Sequence, residues 1–431
     1  MLAKEAVITS FRWSLRWQIA LLITAAIAIS YLDRQTLPVA IGAIQHDIPI
    51  SNTQFSQLQA AFLLAYAVMY AGGGKLIDVL GTRRGFLLIM VFWSLACASH
   101  GLAAGFGMLA VSRFLLGVGE GGGFPAATKA VSEWFPVRER STAMGLINAG
   151  TAVGAVIAPP AIAAVIKLAN WRWVFVLCGA AGLLWTLWWW RDYFAPAQHP
   201  KLSTQEREEI AEVTALPSQS EAPMSWFRLF AFPQVWGLVF GKFLSDAAWY
   251  FYLFWLPKYL YDARGFDTKQ VGYFAWIPYA ASGLGSLLGG WFSSRLIRGG
   301  HSLNFARKVA LGVSAAFMPW IVFVTHSPVE LAIVLFSIAF FGQQSWSTLV
   351  MTLPADIFPR RLVGSVAGLV GFGGAMGGVV FSLVAGKLLD SGFGYGLVFA
   401  FVSTFHILAF LLILLTIRKV HPIEIRYAEE H

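Results

Sequence analysis

Trp17 to Ile41 reads WQIALLITAAIAISYLDRQTLPVAI, an apolar run broken only by Tyr31-Leu32-Asp33-Arg34 toward its end. A helix crossing a bilayer needs about 20 predominantly apolar residues, and this stretch supplies them. Runs of similar size recur along the chain and are separated by charged or Pro/Gly-rich breaks. They give twelve predicted spans. The first six are approximately 17–41, 54–74, 86–105, 108–133, 142–166 and 172–193; the second six are approximately 233–257, 268–295, 306–325, 329–353, 364–388 and 393–417. Composition agrees, with 57% hydrophobic, 15% aromatic and only 12% charged residues, against roughly 25% charged in soluble domains. The two cysteines, Cys97 and Cys178, sit inside apolar runs, which excludes a disulfide framework and a cysteine-rich metal site.

The predicted fold class is an all-α membrane protein, with twelve transmembrane helices in two six-helix pseudo-symmetric halves. The expected domains are an N-terminal bundle (1–194), a cytoplasmic linker (195–228) and a C-terminal bundle (229–431). Ser203 to Glu209 in the linker has the pattern of a short capped amphipathic helix. With the N-terminus inside, 21 of the 31 Lys and Arg residues fall on cytoplasmic segments. That excess places both termini in the cytoplasm. It also accounts for the net charge of +9 through anionic lipid rather than nucleic acid. The first apolar run is too long for a cleaved signal and carries Asp33-Arg34, so a bacterial inner membrane is expected. The halves repeat: Phe135-Pro136-x-Arg138 followed by Gly145-Leu146 returns as Phe358-Pro359-x-Arg361 followed by Gly368-Leu369. Secondary transporters commonly place a site between such repeats.

Ionisable residues at mid-span cost at least about 2.5 kcal/mol, so they are expected to face a cavity and to have partners. Span one holds Tyr31, Asp33 and Arg34, span two holds Tyr66, and span four holds Arg113 and Glu120. At about 1.5 Å of rise per residue all lie near the bilayer mid-plane or just outside it. Two acids and two arginines are therefore expected to converge in one cavity. The bland alternative is a set of permanent ion pairs that fix helix packing, Asp33 with Arg113 or Arg34 with Glu120. An arginine suits an anionic substrate because it stays charged and binds a carboxylate bidentately. Burial favours the protonated form of an acid, and a nearby arginine favours its anion. A substrate carboxylate that occupies the arginine thus promotes proton uptake by the acid. Span seven adds Lys242 and Asp246, an i,i+4 pair that can be structural or take part in coupling.

Between spans two and three lies Gly74-Lys75-Leu76-Ile77-Asp78-Val79-Leu80-Gly81-Thr82-Arg83-Arg84. This stretch resembles the G-x-L-a-D-r-x-G-r-r-r signature of the major facilitator superfamily, departing from it at Val79 and Thr82. The resemblance implies a cytoplasmic gate built from Asp78, Arg83, Arg84 and Arg138, which breaks when the halves rock. Tyr31-Leu32-Asp33-Arg34 with Arg113 and Glu120 resembles the anion–cation symporter branch of that superfamily. It implies that Asp33 and Glu120 are proton-coupling acids and that Arg34 holds the substrate carboxylate. By the same resemblance Tyr31 and Tyr66 line the site, Arg113 tunes Glu120, and Asn148 and Thr151 offer polar sugar contacts. Lys242, Asp246 and Trp249, with Gln343 and Gln344, resemble the bacterial hexuronate transporters. Trp249, Trp276 and Tyr279 could stack on a sugar ring.

The expected function is proton-coupled import of an organic anion, a hexuronate or related sugar acid, by a monomer. Its partners are a small carboxylate sugar and the lipid bilayer, with no cofactor other than the proton as coupling ion. An anion exchanger or a sodium-coupled carrier of galactonate, glucarate or an aromatic acid is the alternative, and a membrane sensor is a remote one. An enzyme is not expected, since no helix carries H-E-x-x-H or paired histidines.

Overall fold

The computed structural model describes residues 14–135, 137–202, 206–208, 210, 226–358, 360–421 and 423. Within these, the side chains of residues 71, 74, 75, 78, 137–142, 226, 227, 360, 361, 363 and 364 are outside the described set. The first half comprises α1 (Leu15–Asp47), α2 (Asn52–Leu80), α3 (Thr82–Ser99), α4 (Phe106–Gly121), α5 (Gly123–Trp134), α6 (Val137–Leu168) and α7 (Trp171–Asp192). The second comprises α8 (Pro233–Arg264), α9 (Thr268–Phe274), α10 (Trp276–Arg298), α11 (Leu303–Ala316), α12 (Val329–Ile357), α13 (Arg360–Asp390) and α14 (Gly394–Thr416). Two crossings are broken, α4 from α5 at Gly122 and α9 from α10 at Ala275. A 3-10 segment, Pro319–His326, extends α11. With these joined the chain crosses twelve times, six in each half.

Eight described helical stretches are long and apolar enough to cross a membrane. The other four crossings are α2, the broken α4–α5 and α9–α10, and the Lys242- and Asp246-bearing α8. The expected loop after span two is nearly absent. Apolar residues carry α2 on to Leu80, with Ile77 buried, and Gly81 at φ +74° turns the chain straight into α3. Only glycine adopts that φ readily. In the linker, residues 206–208 are helical, whereas Ser203 to Gln205 and Glu209 lie outside the described residues.

Helices in a bilayer gain little from the hydrophobic effect on meeting one another, so close packing of small residues joins them. On the seam between α1 and α6, a Cβ on Gly154 would collide with the Ala28 carbonyl oxygen; on that between α8 and α13, a Cβ on Gly377 would meet that of Phe243. The two halves join along α2 with α13, α1 with α8, and α6 with α9–α10. At the end where α1 passes into α2 they are latched. Asp390 Oδ1 and Oδ2 accept from the Asn52 and Thr53 amides at 3.0 and 2.7 Å, satisfying free N–H groups at the start of α2. Deeper in the bundle, Gln35 donates to the Leu253 carbonyl at 3.2 Å and accepts from Tyr279 at 3.0 Å.

The seams make a paired prediction. Gly154→Ala should lower the thermal unfolding midpoint of the purified protein, since overpacking costs about 1–3 kcal/mol. Gly72→Ala, where nothing lies within 4 Å of the added carbon, should leave the midpoint in place.

Candidate functional site

The mid-span charges meet where α1, α2, α3 and α4 converge. Arg34 Nε donates to Glu120 Oε2 at 2.7 Å, and Ser30, one turn earlier on α1, donates to the same oxygen at 2.7 Å. The Arg34 guanidinium carbon lies 4.6 Å from the ring centres of both Tyr31 and Tyr66, and 5.5 Å from that of Phe62. Cation–π attraction of this kind strengthens when the cation is desolvated, and Arg34 is 2% exposed. Only Nε is committed to Glu120, so the two terminal nitrogens remain for a second, bidentate carboxylate.

The four charges do not form one hydrogen-bonded cluster. Consecutive residues on a helix point about 100° apart, so Asp33 turns from Arg34 toward α3. There Trp93 Nε1 donates to Asp33 Oδ2 at 2.8 Å. Arg113 lies on the same face of α4 as Glu120 but two turns away, and donates to Gln59 Oε1 at 2.9 Å and to the Arg34 carbonyl at 3.5 Å. Its guanidinium lies over the same Phe62 ring, at 5.2 Å. Arg113 thus reaches Glu120 through space and through Arg34, not by a direct bond. Of the anticipated structural pairs, Arg34 with Glu120 forms and Asp33 with Arg113 does not.

The second half carries its own polar network. Lys242 Nζ donates to Asp246 Oδ1 and to Ser347 Oγ, both at 2.8 Å. Gln343 Nε2 approaches the same Asp246 oxygen at 3.4 Å, and its Oε1 bonds His406 Nε2. Trp346 packs edge-on against His406. Trp249 is buried with Phe340 as a T-shaped neighbour, and Tyr279 is buried on Gln35 and the Leu253 carbonyl. Gln344 is half-buried, Trp276 is 38% exposed and Asn148 is exposed. Thr151 spends its hydroxyl proton on the Asn148 carbonyl. Tyr250 of α8 lies within electrostatic reach of Arg34, Tyr31, Tyr66 and Asp246.

The expected gate is only partly described. Arg83 donates to the Trp190 carbonyl at 2.6 Å and lies over the Trp190 and Phe194 rings, which ties α3 to α7 within one half. Arg84 is exposed, and the side chains of Asp78 and Arg138 lie outside the described residues. Sequence reasoning missed Ser30, Gln35, Gln59, Trp93, Tyr250, Ser347 and His406. His406 carried a usable signal, being an ionisable residue in the middle of an apolar run.

Two outcomes test these networks. Arg34→Lys removes the fork that bonds Glu120 and lies between two tyrosines, so initial uptake should fall about tenfold or more in protein that still folds. Lys242→Met leaves a buried carboxylate uncompensated and should lower thermal stability, by about 3–5 kcal/mol. The double variant Lys242→Met/Asp246→Leu should recover most of that loss.

The sequence of the chain matches the Major Facilitator Superfamily model over residues 23–382. It is 33% identical to the hexuronate transporter of Escherichia coli (strain K12), covering 95% of this chain and 96% of that one. It is 37% identical to the galacturonate transporter of Dickeya chrysanthemi, over 64% of this chain and 81% of that one. In fold it is similar to a bacterial homolog of the human lysosomal transporter Spinster in an inward-facing and occupied conformation. The TM-score is 0.74 at 18% identity, covering 95% of this chain and 98% of that one. With its twelve crossings in two halves, the chain is a multi-pass membrane protein that belongs to the major facilitator superfamily.

Proposed function

We propose that this protein imports a sugar acid, foremost a hexuronate, in symport with protons and without a further cofactor. The observation that carries the reading is Arg34, held by Glu120 through Nε alone and faced by two tyrosine rings. The uronate transporters among its relatives support the substrate class. A uronate carboxylate binds the terminal nitrogens of Arg34 and competes with Glu120 for its positive charge. Glu120, losing that support, takes up a proton. Tyr31 and Tyr66 flank the bound carboxylate, and Arg113 acts on Glu120 electrostatically. Gln343, Gln344, Asn148, Thr151, Trp249 and Trp276 serve the hydroxyls and ring of the sugar, and Lys242 with Asp246 is a structural or coupling pair.

Residues 1–194 and 229–431 are the two units that rock, and 195–228 is the linker between them. Both termini are cytoplasmic in a bacterial inner membrane, as the distribution of basic residues favours. The end latched by Asp390 then faces outward, and the gate of Asp78, Arg83, Arg84 and Arg138 lies on the cytoplasmic side. The working unit is a monomer.

The test is uptake of radiolabelled glucuronate and galacturonate into proteoliposomes under an imposed inward proton gradient. Uphill uptake is expected in the unmodified protein. In Glu120→Gln that accumulation should vanish while counterflow exchange persists. Uptake indifferent to the gradient would replace symport with exchange or sodium coupling. Folded protein that takes up neither sugar would overturn the hexuronate assignment in favour of aldonates, aldarates or aromatic acids.

A further inference from the structure

Asp33 is fully buried, and its hydrogen bond comes from the Trp93 indole. Its other oxygen, Oδ1, makes no hydrogen bond among the described residues. The charged and titratable groups around it are Arg34 on its own helix, Cys97 on α3, Glu120 and Arg113 on α4, and Cys178 on α7. Thiols are weak donors, so the indole N–H is the one strong donor on this carboxyl among the described residues. Trp93 is also gripped by the broken α4–α5 crossing. A Cβ on Gly119 would meet Trp93 Cα at 2.8 Å, and one on Gly123 would lie 3.5 Å from the edge of its ring. Gly119 directly precedes Glu120 and Gly123 opens α5 three residues after it; the backbone contact at Gly119 leaves no slack between α3 and α4.

We propose that Trp93 is a positioning residue that links the two acids. Its N–H holds the Asp33 carboxyl, its backbone is seated on the stretch of α4 that carries Glu120, and its ring lies on the first residue of α5. When substrate draws Arg34 from Glu120 and that stretch shifts, Trp93 moves with it and the Asp33 hydrogen bond lengthens or shortens. Proton exchange at Asp33 is thereby timed to occupancy at Arg34. This assignment rests on the proposed role of Asp33 as a coupling acid, and it adds the device that joins Asp33 to the substrate site.

The experiment uses the full chain in proteoliposomes, with glucuronate as probe. Trp93→Phe keeps a ring between Gly119 and Gly123 and removes the donor; Trp93→Leu removes the donor with a different shape. Gradient-driven uptake is measured against pH, with counterflow alongside, and both variants are repeated in an Asp33→Asn background. Counterflow should persist in Trp93→Phe, while the pH midpoint of driven uptake moves about one unit to the alkaline side. That is the shift expected when a carboxylate loses one hydrogen bond that favours its charged form. In Asp33→Asn the counterflow profile should be the same with and without Trp93→Phe. An unmoved midpoint would overturn the proposal, as would parallel loss of counterflow and accumulation in both Trp93 variants. Asp33→Asn protein that still accumulates glucuronate would instead remove Asp33 from coupling, and the role of Trp93 with it.

Discussion

The Arg34–Glu120 pair is the constraint around which the first half is arranged. Each charge alone is costly at the depth of a bilayer centre, and each partner offsets the other only if the remaining polar atoms are met. The surroundings meet them economically: Ser30 gives Glu120 a second donor, and Tyr31, Tyr66 and Phe62 give Arg34 aromatic faces. Glu120 Oε1 has no hydrogen-bond partner among the described residues. A pair built only for packing gains from full satisfaction of its atoms. This one leaves one acid oxygen and two arginine nitrogens uncommitted among the described residues, the arrangement that a competing carboxylate and a proton require.

Close backbone approach is what brings these groups together. Tyr31 Cβ lies against Gly154 of α6, and the Tyr66 carbonyl lies against Gly121 of α4. The tyrosines that face Arg34 are therefore set by glycines on neighbouring helices, with no polar bond needed to aim them. The same holds in the second half, where Gly374 of α13 lets the Asp246 carboxylate sit against its backbone. Small residues on the seams thus do two things at once: they let helices associate where the hydrophobic effect gives little help, and they leave the polar side chains oriented inward.

Much of this was legible in the sequence, for identifiable reasons. Apolar runs fix crossings because a bilayer demands their length, and Asp33, Arg34, Arg113 and Glu120 stand out because charge is expensive there. Pairing was less legible. Asp33 and Arg34 are adjacent in sequence yet serve different neighbours, since a step of about 100° sends one to α3 and the other to α4. Ser30, Gln59 and Trp93 are unremarkable as residue types and gain meaning only through the rotation of helices about their axes. The boundary between α2 and α3 was misplaced because a basic Gly-containing motif reads as a loop, whereas its apolar residues continue the helix up to a single glycine at positive φ.

The two acids are thus placed for unequal parts in the proposed cycle. Glu120 shares Arg34 with whatever carboxylate arrives, so its proton affinity follows substrate occupancy directly. Asp33 is turned away from that site and fully enclosed, so in this cycle substrate acts on it through the packing of α3 on α4 and through the charge of Glu120. One acid that senses the ligand and one that senses the helix suffice to order the steps: binding loads Glu120, and the resulting movement of α4 reaches Asp33 afterwards. A single acid would bind and release its proton on the same contact, with nothing to separate the two events. In the proposed cycle, the divergence of Asp33 from the arginine it neighbours in sequence is what separates the two events.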